Sequence, residues 1–287
     1  MIWLALGGAL LGLAVLAYWQ FIVAEGSYLG PPVVAWTYDL IARRYDAIKR
    51  FVPRYENWFI TMPLLEALDG REQPLVLDVG TGTGRLPLLL LAAHFSGYVV
   101  GLDFSRRMLR QARAKLRIYG SQSGLVWQDA SRLPFDDETF DAVTCLESLE
   151  FMPQPGEVLT EMVRVLAPGG VLFISNRVGR EARLLPGRVW TRIALPQVLA
   201  DLLLEQVQIE PWQSDYDLVM GRKAAVPDQN AGERMEWAGL EDLLRCPHCN
   251  GPLEPGVARL SCPACGLHYA FREGIVHLAA PLRDGSV

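Results

Sequence analysis

Residues 75–90, LVLDVGTGTGRLPLLL, restrict the possible folds of this chain more than any other stretch. The stretch opens with an apolar run that predicts a buried parallel strand, and the leucines from Leu86 onward predict a helix. Between them, Gly80, Gly82 and Gly84 allow a tight turn and a close approach of the backbone to a ligand. A strand, a glycine turn and a helix N-terminus together predict a nucleotide-type pocket in an α/β fold.

The residues around these glycines distinguish between kinds of nucleotide pocket. Arg85 stands where the dinucleotide fingerprint G-x-G-x-x-G needs its last glycine, and no Gly-Lys-Ser/Thr follows as a phosphate loop requires. The pattern that is present, D-x-G-x-G-x-G, resembles motif I of the class I S-adenosylmethionine (SAM) methyltransferases. Taken alone, it also fits a purely structural strand-to-helix turn. The resemblance implies that the cofactor contacts Asp78, Gly80, Thr81, Gly82 and Gly84.

A second apolar strand is predicted over residues 98–102, and it ends at Asp103. This acid follows Gly80 at about the interval expected for the carboxylate that accepts the ribose hydroxyls. Two acceptor oxygens can take both hydroxyl protons, which is why such a site needs a carboxylate. Phe104 is expected beside the adenine. Ser105 is predicted to cap a helix that runs through residue 116 and carries Met108, another expected cofactor contact.

Further strands are predicted downstream at regular intervals. Residues 125–135, LVWQDASRLPF, predict a third strand leading to Asp129 and Ala130, and residues 140–146, FDAVTCL, predict a fourth strand followed by Glu147. Residues 161–175, EMVRVLAPGGVLFIS, predict a helix, a Pro-Gly-Gly turn and a fifth strand. Residues 207–210 and 216–219 read as the last two strands.

This order of elements resembles the class I SAM methyltransferase family over residues 75–223. The resemblance implies a Rossmann-like, seven-stranded α/β sheet with helices on both faces and an antiparallel last strand. It also implies that Asp129 hydrogen-bonds the adenine amino group beside Ala130, and that Glu147 faces the ligand crevice.

The overall charge of the chain bears on its partners. The 287 residues carry a formal net charge of −5, and the isoelectric point is near 5.5. There is therefore no global electrostatic case for nucleic-acid binding, although a local basic patch is compatible with this charge. The length allows one full domain of typical size and a small extra module.

Residues 1–24 contain no charged side chain and, as a helix, are long enough to cross the ~30 Å hydrocarbon core of a bilayer. Trp3, Tyr18 and Trp19 lie near the ends, where aromatic belts occur. The alternatives are a cleaved signal peptide, which would need a basic n-region and a better cleavage site, and a buried core helix. We expect a single-pass transmembrane anchor.

Residues 40–55, LIARRYDAIKRFVPRY, carry five basic side chains against a single acid, Asp46. Basic residues just after a span predict that this side is cytoplasmic. They suit contact with anionic lipid headgroups, and equally a solvated helix face. Residues 38–46, YDLIARRYD, resemble the N-terminal helix of the ubiquinone/menaquinone-type C-methyltransferases, which covers the SAM pocket in that family. The resemblance implies a helical lid over residues 25–70 that brings Tyr45 near the cofactor.

The connection after the fifth predicted strand mixes apolar residues with arginines. In the methyltransferase family this connection commonly builds the acceptor site. Such a loop suits an amphiphilic or anionic acceptor, and the alternative is a set of solvated arginines on a helix face. The arginines are Arg177, Arg180, Arg183, Arg188 and Arg192.

Four of the five cysteines form two C-x-x-C pairs, Cys246 with Cys249 and Cys262 with Cys265. Each pair places two thiolates on one tight turn, and two pairs give closed tetrahedral coordination of a structural Zn²⁺. Redox dithiols are the alternative. Residues 240–287 resemble the small zinc-ribbon proteins that bind and activate methyltransferases acting on tRNA and translation factors. The polar residues 224–239 before them are predicted to be a linker between this ribbon and a methyltransferase domain over residues 71–223.

The activity that these resemblances imply is SAM-dependent methyl transfer. Because that reaction needs positioning and exclusion of water more than a recognisable base, no catalytic residue is predicted; Glu147 and Glu150 are candidates for positioning or proton acceptance. The anchor, the lid and the arginine-rich connection favour a lipid or quinone-like small molecule as acceptor. The ribbon favours an RNA or protein acceptor, although the acidic charge and the membrane tether count against RNA. A non-catalytic SAM-binding scaffold is the third hypothesis, and the oligomeric state is not predicted.

Overall fold

The computed structural model describes residues 2–225, 237 and 239–282. Most of the predicted linker at residues 224–239 lies outside this described part of the chain. The described residues form an N-terminal helical segment, an α/β sheet domain and a small cysteine-containing ribbon.

The α/β domain is built on seven strands in the order β6-β7-β5-β4-β1-β2-β3. The pairs β1–β2, β2–β3, β1–β4 and β4–β5 are parallel, whereas β7 pairs antiparallel with both β5 and β6. This confirms the predicted seven-stranded sheet and its antiparallel last strand. The strands are β1 Leu75–Val79, β2 Tyr98–Asp103, β3 Ser123–Trp127, β4 Phe140–Cys145, β5 Leu166–Arg177, β6 Leu204–Trp212 and β7 Tyr216–Lys223.

Helices cover both faces of the sheet, because its central strands are buried throughout and present apolar side chains in both directions. The helices are α1 Ile2–Tyr18, α2 Pro31–Ile41, α3 Tyr45–Lys49, α4 Pro53–Glu56, α5 Met62–Ala67, α6 Arg85–Ala92, α7 Arg106–Leu116, α8 Pro155–Val165, α9 Gly179–Ala182, α10 Ala194–Asp201 and α11 Leu240–Leu243. One apolar cluster joins α8 and α10 to the sheet, and a second joins α5 and α6 to it.

The predicted Pro-Gly-Gly turn lies inside a longer strand. The strand β5 starts at Leu166, directly after α8, and its pairing with β4 shifts register between Phe140 and Ala142. The four residues from Ala167 to Gly170 therefore bulge out of the ladder. At Gly170 a Cβ would lie only 2.7 Å from the Ala167 carbonyl oxygen, so the bulge requires glycine there.

The ribbon continues the same sheet. Its strands follow β3 in the order β11-β10-β9-β8, which gives one sheet of eleven strands. The strand β11 pairs in parallel with β3, while the pairs within the ribbon are antiparallel. Ribbon residues including Leu243, Leu244 and Tyr269 belong to the main apolar cluster of the α/β domain. The ribbon strands are β8 Glu254–Gly256, β9 Arg259–Ser261, β10 His268–Arg272 and β11 Ile275–His277.

The N-terminal helix projects from the rest of the described chain. It continues from α1 through a π-helical turn at Trp19–Val23, and none of its most apolar window is buried. By length and composition it could cross a membrane, although a signal sequence would pass the same test. Its C-terminal end is held by hydrogen bonds from Trp19 Nε1 to the Leu184 carbonyl oxygen (2.8 Å) and from the Tyr28 hydroxyl to the Pro186 carbonyl oxygen (2.9 Å).

Candidate active site

The glycine turn after β1 has the backbone geometry that its residues predict. Gly80, Gly82 and Gly84 have φ angles of +73°, +55° and +79°, which residues with a Cβ rarely adopt. A Cβ on Gly80 would lie 2.3 Å from the Ser148 hydroxyl oxygen, so this glycine also makes room for a neighbouring loop. A Cβ on Gly84 would lie 3.1 Å from the Ala112 Cβ, so Gly84 allows α6 to pack closely on α7.

Asp103, at the end of β2, holds the turn in place. One carboxylate oxygen accepts a hydrogen bond from the Gly82 N–H (2.8 Å), and the other accepts one from the Ser105 N–H (2.7 Å). Burial raises the pKa of Asp103 to about 6, even though these backbone donors favour its ionised form. The Ser105 hydroxyl accepts from the Met108 N–H (3.2 Å), which confirms the predicted cap of α7.

A cavity of about 750 Å³, counting its open mouth, lies at the carboxyl ends of β1, β2, β3 and β4. Its place is where α/β sheets bind ligands. Most residues predicted to contact the cofactor line it: Tyr45, Gly80, Gly82, Asp103, Phe104, Met108, Asp129, Ala130 and Glu147.

The remaining predicted contacts are placed differently. Asp78 and Thr81 line an adjoining cavity of about 390 Å³, which shares Tyr45 and Glu147 with the larger one. Asp78 is buried, and its carboxylate accepts from the Thr144 hydroxyl at 2.7 Å. Burial raises the pKa of Asp78 to about 6. Gly84 is among the lining residues of neither cavity.

Helix α2 forms the roof of the larger cavity, and most of its contribution was not predicted. Its lining residues Pro31, Val34, Ala35 and Tyr38 recur at helical spacing on one face. That spacing is visible in the sequence, but without a fold it does not say what the face covers. The opposite wall, from Phe151 and Met152, is also apolar.

Hydrogen bonds of two side chains, Asp39 and Tyr38, fix this roof. Asp39 accepts hydrogen bonds from the Ser105 hydroxyl (2.6 Å) and from the Arg107 N–H (3.1 Å), which attaches α2 to the start of α7. The Tyr38 hydroxyl donates to the carboxylate of Glu25, whose pKa is raised by burial. The roof is thereby connected both to the end of β2 and to the end of the N-terminal helix.

Glu147 lies at the polar end of the cavity inside a charge network. Its carboxylate pairs with Lys49 Nζ (2.7 Å) and with an Arg85 guanidinium nitrogen (2.6 Å), and Gln213 donates to it at 3.1 Å. Burial opposes ionisation of Glu147, but the two cations lower its pKa overall. Arg85 also pairs with Glu56 at 2.5 Å. The sequence did not predict Lys49 as a partner, because the two residues lie 98 positions apart.

Glu150, the other candidate for proton acceptance, is buried and is absent from the cavity lining. It accepts from the Tyr216 hydroxyl at 2.6 Å and lies 3.8 Å from an Arg177 nitrogen. Burial raises its pKa to about 7. Its contacts join β5 and β7, so a role at the reacting atoms stays a prediction without geometric support.

The four predicted metal ligands come together in the ribbon. The sulfur atoms of Cys246, Cys249, Cys262 and Cys265 all lie within 4.8 Å of one another. Two of their separations are 3.6 Å and 3.4 Å, close to the edge of about 3.8 Å expected for a tetrahedron with Zn–S bonds of ~2.3 Å. Four cysteine sulfurs suit a closed, structural zinc site, and among the described residues no fifth metal-binding side chain joins the cluster.

The strand order, the glycine turn and the cavity at the strand ends define the class I methyltransferase fold. A family model described as "Methyltransferase domain" matches residues 77–174, and one described as "Trm112p-like protein" matches residues 240–274. Phosphatidylethanolamine N-methyltransferase from Cereibacter sphaeroides is 37% identical over 150 residues, which are 47% of this chain and 72% of the relative. The chain belongs to the family of SAM-dependent methyltransferases, with a Trm112-like zinc ribbon at its C-terminal side.

Other relatives match about half of this chain. The ubiquinone/menaquinone biosynthesis C-methyltransferase UbiE from Desulfotalea psychrophila is 35% identical over 53% of this chain and 58% of its own length. Demethylmenaquinone methyltransferase from Thermus thermophilus is 36% identical over 47% of this chain and 61% of its own length. The chain thus spans little more than half of these two relatives.

Solved structures share the fold at low sequence identity. The Haloferax volcanii complex of the Trm112 methyltransferase activator with a putative methyltransferase matches at a TM-score of 0.52 and 21% identity, over 67% of this chain and 98% of that one. The [4+2]-cyclase SpnF matches at 0.56 and 19% identity, over 69% and 97%. Because one of these proteins is a cyclase, the fold does not by itself fix the reaction.

Proposed function

We propose that this chain is a membrane-anchored SAM-dependent methyltransferase whose acceptor is an apolar or amphiphilic small molecule of the lipid or quinone kind. The observation that carries this proposal is the apolar part of the cavity. Val34, Ala35, Phe151 and Met152 line it, and Arg188 donates hydrogen bonds both to the Met152 carbonyl oxygen and to the Ser27 carbonyl oxygen, just after the N-terminal helix. In this proposal residues 2–23 anchor the protein, and the basic residues after them keep the methyltransferase domain on the cytoplasmic side.

The polar part of the cavity suits the cofactor. Each Asp103 oxygen accepts one backbone hydrogen bond and keeps acceptor capacity for a ribose hydroxyl. Phe104 and Ala130 would face the adenine, and Asp129 would accept from its amino group. The turn from Gly80 to Gly84 and the charge network around Glu147 would surround the methionine portion.

SAM supplies a methyl group on a sulfonium, which already carries a good leaving group. The chain then needs to align the acceptor with that methyl group and to exclude water. The α2 roof does both, because it closes the cavity over its apolar part and is held there through Asp39 and Tyr38. The two carboxylate oxygens of Glu147 are paired with Lys49 and with Arg85. We therefore assign Glu147 a role in positioning the bound molecules and no role in proton transfer.

The relatives support this acceptor class. The names of three of them specify phosphatidylethanolamine, demethylmenaquinone and ubiquinone or menaquinone biosynthesis, which are lipid or prenyl-quinone chemistries. The second candidate is a protein or RNA acceptor with the ribbon as built-in activator, and it is favoured by the Trm112-like match. The net charge of −5 counts against RNA.

One labelling experiment separates these candidates. Full-length protein is incubated with SAM carrying an isotopically labelled methyl group and with membranes, protein and RNA from the same cells, and the three fractions are then counted. We expect label in the lipid-soluble fraction. Label in protein or RNA would support the second candidate, and absence of label together with SAM binding by calorimetry would indicate a non-catalytic scaffold.

A further inference from the structure

The helical segment that covers the pocket also exposes an unusual amount of apolar surface on its other side. Trp36, Leu40, Ile48, Val52 and Trp58 are 55%, 60%, 58%, 57% and 72% exposed. Soluble proteins expose single large apolar residues, but rarely this many within one short segment. Among the described residues nothing covers these side chains.

Four exposed arginines alternate with these apolar residues along the chain. None of these four arginines forms an ion pair with another described residue. Two of the three acids between residues 36 and 58 are paired with cations, Asp46 with Lys115 (2.8 Å) and Glu56 with Arg85 (2.5 Å), so Asp39 is the one acid that opposes the four arginines there. The segment therefore presents a positive as well as an apolar surface. The arginines are Arg43, Arg44, Arg50 and Arg54.

This surface lies close along the chain to the N-terminal helix. The end of that helix is fixed to the body by the bonds of Trp19 and Tyr28 and by a bond from Arg188 to the Ser27 carbonyl oxygen (2.6 Å). Helix α2 starts at Pro31, within the next few residues. If residues 2–23 span a bilayer, the surface cannot be far from the lipid headgroups.

We propose that these nine residues form a docking face that lies on the anionic surface of a lipid bilayer. The face consists of Trp36, Leu40, Ile48, Val52 and Trp58 with Arg43, Arg44, Arg50 and Arg54. Tryptophan is favoured at the bilayer interface, and arginine can place its stem among apolar groups while its charge reaches a phosphate. Basic residues near an anionic leaflet add attraction that falls with salt.

The docking face and the pocket share one helix. On α2, Val34, Ala35 and Tyr38 line the cavity, whereas Trp36 and Leu40 point outward. Only the thickness of this helix therefore separates the bilayer from the apolar part of the cavity. If the proposed function is correct, an apolar acceptor can move from the bilayer past α2 into the cavity without crossing bulk water.

The test uses the full-length protein in vesicles of phosphatidylcholine and phosphatidylglycerol, with acyl chains brominated to quench nearby tryptophan fluorescence. The measured quantity is the part of the tryptophan emission that the brominated chains quench. We expect this quenched part to be smaller in Trp36→Phe and in Trp58→Phe than in the wild type, by the contribution of one tryptophan each. The matched control is Trp237→Phe, which removes a tryptophan that packs on Tyr98 and should leave the quenched emission unchanged. Quenching that is the same in wild type, W36F and W58F would overturn the proposal.

A charge variant tests the electrostatic part. Replacing Arg43, Arg44, Arg50 and Arg54 by glutamine should reduce the quenching of Trp36 and Trp58 in anionic vesicles. The control replaces four exposed arginines elsewhere by glutamine, which makes the same charge change and should leave the quenching unchanged. These control positions are Arg117, Arg132, Arg259 and Arg272.

Two further measurements keep the alternatives apart. The alternative is that a second copy of the chain, and not a bilayer, covers the docking face. Sedimentation in detergent would then show a dimer that Trp58→Ser converts to a monomer. That result would also overturn the proposal. SAM calorimetry on every variant checks folding. The labelling experiment reports on the acceptor separately, so failure of docking and failure of the proposed function are distinguishable.

Discussion

Val276 of the ribbon pairs in parallel with Val126 on β3, the strand that would otherwise form an open edge of the methyltransferase sheet. The Leu278 and Ala279 N–H groups extend this contact to the Trp127 carbonyl oxygen, both at 3.0 Å. An uncovered strand edge exposes unpaired backbone groups and favours aggregation. The ribbon therefore completes the sheet, and its metal site and the cofactor pocket belong to one hydrogen-bonded structure.

Loss of zinc is expected to weaken the methyltransferase domain as well as the ribbon. Cys246→Ser or Cys262→Ser removes a ligand whose thiolate the closed site requires, so zinc content should fall from one ion per chain toward none. The unfolding temperature should fall because β3 loses its neighbour. Metal analysis and calorimetry measure the two effects. Cys145→Ala, which removes a thiol outside the cluster, should keep the zinc; wild-type protein without zinc would contradict this prediction.

A single added methyl group should disturb the contact between ribbon and sheet. At Gly124 on β3, a Cβ would lie 2.7 Å from the Tyr98 hydroxyl oxygen and 2.8 Å from a Leu240 methyl group. Gly124→Ala should therefore destabilise the protein by about 1–3 kcal/mol through overpacking. Gly156→Ala is the control, because nothing lies within 4 Å of its Cβ position. Equal midpoints in urea for the two variants would refute the close contact.

Asp103 is expected to matter most for cofactor affinity. Asp103→Ala removes the proposed acceptor for the ribose hydroxyls and also releases the Gly82 N–H. A hydrogen bond to a charged group contributes about 1.5–3 kcal/mol, so SAM binding should weaken roughly ten- to a hundredfold. Calorimetry measures the change. Asp137→Ala, at a carboxylate 73% exposed and away from the cavity, should bind like wild type; equal SAM affinity for Asp103→Ala would remove the assignment.

The raised pKa of Asp103 predicts opposite pH dependences for binding and for stability. If the ionised carboxylate binds the ribose as proposed, SAM affinity should fall as the pH drops below about 6. Because the folded protein binds this proton more tightly than the unfolded chain, the contribution of Asp103 to the free energy of unfolding should decrease as the pH rises from ~4 to 6 and then level off.

The variant Asp103→Asn removes the titrating group and keeps the side-chain size, but its amide nitrogen cannot accept the hydrogen bond from one of the two backbone N–H groups. Its SAM affinity should be low and nearly independent of pH between 5 and 8. Calorimetric titrations at each pH, together with thermal unfolding of the ligand-free protein, provide both profiles. A wild-type affinity that stays level from pH 8 to pH 5 would contradict the role of the ionised carboxylate.

The parts of the site that the sequence predicted are those set by local geometry. A glycine turn with positive φ angles and an acid at the end of a strand occur within a few residues of the strands that place them, so spacing alone locates Gly80, Gly82 and Asp103. The four cysteines are likewise defined by two short turns.

What the sequence could not predict depends on contacts between distant segments. Asp39 reaches Ser105 across 66 positions, and without that contact the apolar face of α2 has no known partner. The pairing of β11 with β3 also joins distant segments. The backbone groups at a strand edge can bond many other strands, so the sequence of either strand does not specify its neighbour. The charge network of Glu147 was missed for the same reason.

The pairing of Val126 with Val276 also has a consequence for biosynthesis. Val126 leaves the ribosome 150 residues before its partner, so the edge of β3 stays uncovered while the rest of the sheet forms. That edge can be covered only after the ribbon has emerged as well. Because β3 and the ribbon lie on one chain, each methyltransferase domain is made together with the ribbon that covers its edge. The domain does not have to bind a separate subunit for this purpose.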